Sequence, residues 1–223
     1  MATLDAPAKT SARWSRLVWV PTLLLVLIGL AAVARRLFVF VEPPRAPRFA
    51  AGAAVDATFA THPLLTLIHI LPAALLIVLM TMQFVPGIRA RHLGWHRWSG
   101  RLIIVLGFVV GISALVMSYS VPIGGANETA ATTFFAVLFL IFLLAGFRSA
   151  QKRRIVQHRQ WMLRAFGVVL GIATTRPIMG AFFAARRFSP HEFFGIAFWL
   201  GFSTTLLGAE AWIHVSERHS FHA

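Results

Sequence analysis

Long apolar runs separated by short polar clusters organise the chain. Six runs, at about 17–40, 63–86, 99–121, 131–148, 161–184 and 193–215, approach or exceed the roughly 20 residues that a helix needs to cross a hydrocarbon core of about 30 Å. Between them stand Glu42-Pro43-Pro44, Pro122-Ile123-Gly124-Gly125 and clusters of arginine, the punctuation of loops. Hydrocarbon offers peptide groups no water to bond, so runs of this length predict helices. The pattern predicts an all-α polytopic transmembrane bundle, one domain over 1–223. Its parts are a tail (1–16), span one (17–40), a four-helix core made of spans two to five (63–184), span six (193–215) and a second tail (216–223).

Composition agrees: 58% of residues are hydrophobic and 13% charged, against about 45–50% apolar in soluble domains. The net charge of +14 lies in clusters between apolar runs and not on one polar face. Anionic lipid headgroups, and not nucleic acid, are therefore the expected partner. The chain has no cysteine, which excludes disulfides, thiolate nucleophiles, Cys-ligated zinc and iron–sulfur clusters. Lys9, Arg13 and Arg16 before an apolar run ending in Ala32-Val33-Ala34 have the outline of a signal peptide. The run continues past Arg35 and Arg36 into Leu37-Phe38-Val39-Phe40-Val41, so it is read as an uncleaved span.

Orientation follows from the short loops. Arg89, Arg91 and Arg97, then Arg148, Lys152, Arg153, Arg154 and Arg159, fall on the same side of six spans as the basic first tail. The positive-inside rule then predicts both ends in the cytoplasm. Arg45, Arg48, Arg186 and Arg187 fall on the outer side, with Glu42, Asp56 and Glu192 nearby.

Two stretches repeat a theme: GWHRWSGRLIIVLG at 94–107 and VQHRQWMLRAFGVVLG at 156–171. Each sets His-Arg and then Trp-x-x-Arg before an aliphatic run, and the Trp98/Arg101 and Trp161/Arg164 pairs each lie on one helix face. One reading is interfacial: tryptophan at headgroup level, arginine snorkelling to phosphate. Another starts from the helix dipole, which disfavours cations such as Arg101 and Arg164 near a helix start. Glu210, the only acid inside any predicted span, is equally misplaced near the end of span six. A buried pair between Glu210 and Arg164 or Arg101 is expected, with His214 on the face of Glu210. The inner site is thus His96, Arg101, His158, Arg164, Glu210 and His214. Residues 63–121 and 131–184 also have the outline of a hairpin repeat about a pseudo-two-fold axis along the membrane normal, although the His-to-Trp spacing differs by one.

A second site is expected in the outer half. His69 lies about 10 Å below the outer boundary, and Arg176 at nearly the same depth beside Pro177. An unpaired arginine in mid-membrane costs at least roughly 2.5 to 3.5 kcal/mol, so Arg176 must face the bundle or a wet cavity. Either it bonds carbonyls loosened by Pro177 and Thr174 while His69 serves a neighbouring helix, or the two line a pocket for a quinone, a carboxylate or a haem propionate. Haem b is the sharpest cofactor expectation. His96 and His158, at equivalent depths on different spans, would ligate its iron, with Arg97, Arg101, Arg159 and Arg164 beside the propionates. His92 and His96 are four apart, with no third metal ligand in view. His62 and His191 read as cap residues, and His214, His219 and His222 as a polar end. No phosphate loop, zincin motif or serine elbow occurs, so no catalytic residue is assigned.

His62-Pro63-Leu64, His69, Gln83-Phe84, His96-Arg97-Trp98-Ser99-Gly100-Arg101 and His158-Arg159-Gln160-Trp161-Met162-Leu163-Arg164 give residues 62–185 a resemblance. The chain resembles the bacterial predicted membrane proteins grouped as domain of unknown function 2306. That resemblance implies a helical inner-membrane protein and no particular activity. More distantly the chain is similar to cytochrome b561-type four-helix cores, which implies the ligation by His96 and His158; span four has no histidine, unlike that pattern. The expected function is redox or quinone handling with one haem b. A non-enzymatic transporter or lipid-interacting component is the alternative.

Overall fold

The computed structural model describes residues 8–42 and 50–220, and every regular element among them is a helix. Expectations placed on 1–7, Arg45, Arg48 and His222 lie outside the described residues, as do the side chains of Lys9, Arg13, Arg16, Arg89 and His219. The elements are α1 (Ala8–Val41), α2 (Ala50–Ala60), α3 (Pro63–Gln83), α4 (Pro86–Arg91), α5 (Leu93–Ser120), α6 (Gly125–Gln151), α7 (Ile155–Ala185) and α8 (Pro190–Ser220). All but α2 and α4 are long and apolar enough to span a membrane, and these six cover the six predicted runs.

The helices outrun the apolar runs, because polar residues at a membrane edge continue a helix until something breaks it. Residues 8–16 and 216–220, expected as tails, are helical. Pro63, Pro86 and Pro190 open α3, α4 and α8 at the first-turn position where a missing N–H costs nothing. Arg186, in the left-handed conformation at φ 53°, ends α7.

In packing order, α3 lies on α5, α5 on α6, α6 on α7 and α7 on α8, while α1 lies against α7 and α3. The α7–α8 contact is closest because glycines remove the side chains between the two backbones. A Cβ on Gly171 would stand 2.3 Å from Phe202 Cδ1, and one on Gly201 would stand 2.6 Å from Thr175 Cγ2. Leu76, Ile77, Met80, Ile103, Leu143 and Phe166 fill the middle of the bundle. Leu64, Val105 and Leu207 are exposed on its flank, as lipid-facing side chains are.

The bundle has two distinct ends. At the basic end, the last turns of α3, α6 and α8 meet the first turns of α5 and α7. Gln83 Nε2 donates to Ser99 Oγ (2.6 Å) and to the His96 carbonyl (3.1 Å), His158 Nδ1 meets the Gly146 carbonyl at 2.9 Å, and Gln160 bonds Glu217. At the other end, Trp199 Nε1 donates to Asn127 Oδ1 at 3.1 Å, and Thr129 Oγ1 to the Ser118 carbonyl at 2.8 Å.

The short helix α2 is fastened at this second end by charge. Asp56 accepts from Arg35 Nη2 (2.7 Å) and Nη1 (3.0 Å) and from Arg36 Nη1 (2.6 Å). Arg36 also lies over the Phe59 ring at 4.2 Å. Burial pushes the Asp56 carboxyl up, but the Arg35 hydrogen bonds and the two guanidinium charges outweigh it and hold the group below the ordinary carboxylate range.

Two predictions follow from this packing. Gly171→Ala loosens α7 from α8 and costs about 1–3 kcal/mol, read as a lower unfolding midpoint in detergent; an unchanged midpoint would contradict the contact. Because the Asp56 pKa is depressed, its contribution to the latch is complete above about pH 4 and is lost as pH falls through and below that range. Spin labels on Ala34→Cys and Ala57→Cys should give a narrow distance distribution at neutral pH that broadens on acidification. Adding Asp56→Asn should broaden it at every pH.

Candidate functional site

The two His-Arg boxes are duplicated in sequence but not in structure. Both open their helices at the basic end, yet α5 begins at Leu93 and α7 at Ile155, so Arg101 and Arg164 lie in the third turn and not the first or second. The dipole argument is correspondingly weaker, since that field fades beyond the first turn. The acid partner is nevertheless present. Arg164 Nε and Nη2 grip Glu210 Oε1 and Oε2 at 2.5 and 2.9 Å, a bidentate pair joining α7 to α8.

The Arg164 guanidinium also lies 4.8 Å from the centre of the Trp161 ring, which in turn stacks on Phe142. Its counterpart box does neither: Arg101 is exposed, and Trp98 keeps 61% of its surface open on the flank of α5. Of the alternatives for Glu210, Arg164 is the partner. His214, one turn beyond Glu210, is exposed and outside the pair.

The two boxes do share one structural task, holding a hairpin shut. In the first, Gln83 from the end of α3 reaches the His96 carbonyl and Ser99; in the second, His158 reaches back to Gly146 near the end of α6. Because a carbonyl only accepts, His158 Nδ1 carries a proton in this contact. His96 is on α5 and His158 on α7, and α6 packs against both helices. Two hollows lie elsewhere in the bundle, and neither histidine stands in their walls.

One of those hollows is an apolar groove on the flank of α3 and α5, between Leu65, Ile68, Val105 and Ile112. The other is a half-open cavity of about 420 Å³ at the end opposite the basic one, where α1, α3, α5, α6, α7 and α8 all contribute wall. That volume suits a small-molecule ligand. Most of the wall is apolar, with Phe135, Phe139, Phe198 and Phe202 prominent.

His69 and Arg176, the residues expected at an outer site, both line this cavity. The His69 ring meets Ser113 Oγ at 3.0 Å and lies close enough to Arg176 to feel its charge. Arg176 is exposed and stands in the cavity wall. The carbonyl-bonding alternative for Arg176 has no counterpart among the described residues, where its hydrogen bonding is a 3.9 Å contact with Met179 Sδ on its own helix.

The structure adds four residues that the sequence reading left out. Arg35 and Arg36 line the cavity with Asp56 behind them, and Glu128 and Thr132 line it from α6. Glu128 Oε2 accepts the Gly124 N–H at 2.5 Å, closing the first turn of α6. The Thr132 hydroxyl oxygen is buried without a hydrogen-bond partner among the described residues. Two adjacent arginines inside an apolar run were a signal that an acid must be near. An acid four residues after Gly124-Gly125 was a signal for a helix start earlier than 131.

The family model described as Predicted membrane protein (DUF2306) matches residues 66–213, which include both boxes, His69, Arg176 and Glu210. No curated protein and no solved structure matches the chain.

The partnership of Arg164 with Glu210 predicts a coupling energy of about 1 kcal/mol or more in a double-mutant cycle of Arg164→Gln and Glu210→Gln. Arg101→Gln and His214→Ala should each stay within about 0.5 kcal/mol of the parent. Additive behaviour of the first pair would remove the inner ion pair as a structural element.

Proposed function

The chain belongs to the family of predicted membrane proteins DUF2306, and we propose that it is a ligand-handling protein of a bacterial inner membrane, its cavity taking a molecule of the quinone type. On this reading the basic end faces the cytoplasm and the cavity lies in the outer half of the bilayer, as the clustering of Arg91, Arg97, Arg148, Lys152, Arg153, Arg154 and Arg159 at one end supports. One observation carries the proposal: an aromatic-walled cavity into which a single imidazole and an accessible guanidinium converge. Flat apolar rings pack on the phenylalanines, while His69 and Arg176 donate to carbonyl oxygens at the ring edge.

Haem b is a second reading, favoured by the His158 ring, whose bond to the Gly146 carbonyl is made through Nδ1 and not through Nε2. Ligation by both His96 and His158 would have to tie α5 to α7, which pack on α6 and not on one another, and neither histidine lines either hollow. When bound, the group would supply one-electron transfer, with Arg101 beside its propionates. Transport is less well supported, because Leu76, Ile77, Met80, Ile103 and Leu143 form a closed apolar layer between the cavity and the basic end.

A short-chain quinone added to the protein in lipid nanodiscs should raise its unfolding temperature in a saturable way, and His69→Ala should weaken the apparent affinity about tenfold. No shift at any concentration would refute the quinone reading. A reduced-minus-oxidised spectrum of the purified protein decides the haem reading: Soret and alpha bands that vanish in both His96→Ala and His158→Ala support it, and a featureless spectrum ends it.

A further inference from the structure

We infer that the occupant of the cavity carries a single negative charge spread over two oxygens on an otherwise apolar body. This rests on the reading of the cavity as a ligand site and names the ligand's head. Two sources share that chemistry: the carboxylate of a fatty acid drawn from the bilayer, and the anion of a hydroxyquinone.

The charges around the cavity do not balance from within the protein. Arg35, Arg36 and Arg176 line it, with His69 beside them. Asp56, behind the wall, is consumed by Arg35 and Arg36, which meet it through three contacts of 2.6–3.0 Å. Glu128 is the one acid in the wall, and its carboxylate is committed to the Gly124 N–H at the start of α6. Arg176 has no carboxylate within ion-pairing distance among the described residues. The charges that act on it most strongly are Arg36 and Arg35, which repel it.

The same chain shows what a satisfied arginine looks like. At the basic end, two turns inside the helix, Arg164 holds a carboxylate with both Nε and Nη2 and is covered by Trp161. Arg176, in the wall of the cavity at the other end, has a thioether at 3.9 Å in place of that carboxylate. A guanidinium lining an apolar hollow among membrane-spanning helices is stabilised by an anion that enters the hollow. The planar fork of its donors fits two oxygens held side by side, as in a carboxylate or a hydroxyquinone anion.

A second polar group waits in the same wall: the Thr132 hydroxyl, buried without a partner. Its O–H is available as one further donor to an oxygen anion. The remaining wall, formed by side chains such as Phe139, Ile172 and Phe202, accepts an alkyl chain or a fused ring and offers nothing to a second charge. A monoanionic head with an apolar body is the chemistry that leaves neither wall nor ligand unsatisfied.

The test compares each acid with its neutral twin on the full chain in nanodiscs of zwitterionic lipid at neutral pH. The probes are laurate against methyl laurate, and 2-hydroxy-1,4-naphthoquinone against its 2-methoxy ether, with affinity read by titration. At least one acid should bind about tenfold or more tighter than its neutral form, and the tighter acid identifies the source. Arg176→Gln should erase that preference, and Arg176→Lys should keep most of it.

Equal binding of acid and neutral twin in both pairs overturns the inference, and so does a preference that survives in Arg176→Gln. The acid-against-neutral comparison in the unmodified protein decides the matter even if Arg176→Gln does not fold. Saturable binding of the neutral quinone without preference for the acid would sink the anionic head alone and leave the ligand site standing. Failure of every probe, charged or neutral, would sink both.

Discussion

A guanidinium cannot leave water cheaply, and in this molecule that constraint decides where every buried charge must stand. The desolvation of a cation inside an apolar bundle exceeds anything a single packing contact returns. Each arginine set among the spans is therefore a place where the fold has to supply something. Arg164 receives Glu210, and Arg35 and Arg36 receive Asp56. Arg176 receives a cavity.

The two ends of the bundle differ because of how those needs are met. At the basic end, hydrogen bonds close each hairpin through the His-Arg boxes, and the Arg164–Glu210 pair fixes α7 against α8. Glycines bring the same two helices together along their length, so this side of the bundle is rigid and filled. At the opposite end, a cavity of about 420 Å³ opens among the helices, and α2 is drawn against α1 by Asp56. Filling and closure at one end leave the other as the place where a ligand can be accommodated.

Much of this was legible in sequence, and the pattern of success has a physical cause. Span length and polarity are set by the bilayer, so six apolar runs located six helices. Misplaced charges are conspicuous in hydrocarbon, so Glu210 pointed to an arginine, and His69 and Arg176 could be placed at one depth. Helix rotation was not legible: nothing in the doubled box says that Trp161 turns inward onto Phe142 while Trp98 turns outward. The Asp56 latch was missed because its acid lies in a connecting segment, whose fold depends on partners distant in sequence. Glu128 was missed because a run of apolar residues marks where lipid begins and not where a helix starts.

The central claim, that Arg176 gives the cavity a positive potential that no acid among the described residues cancels, is open to one direct measurement. The chain has no cysteine, so Ala73→Cys, one turn from His69 on the cavity wall, would carry the only thiol. Its rates of modification by small anionic and cationic thiosulfonate reagents can be compared from the side of the membrane on which the cavity end lies. The account predicts that the anionic reagent reacts about tenfold faster, and that Arg176→Gln levels the two rates. Equal rates in the parent protein, or a faster reaction with the cation, would contradict it.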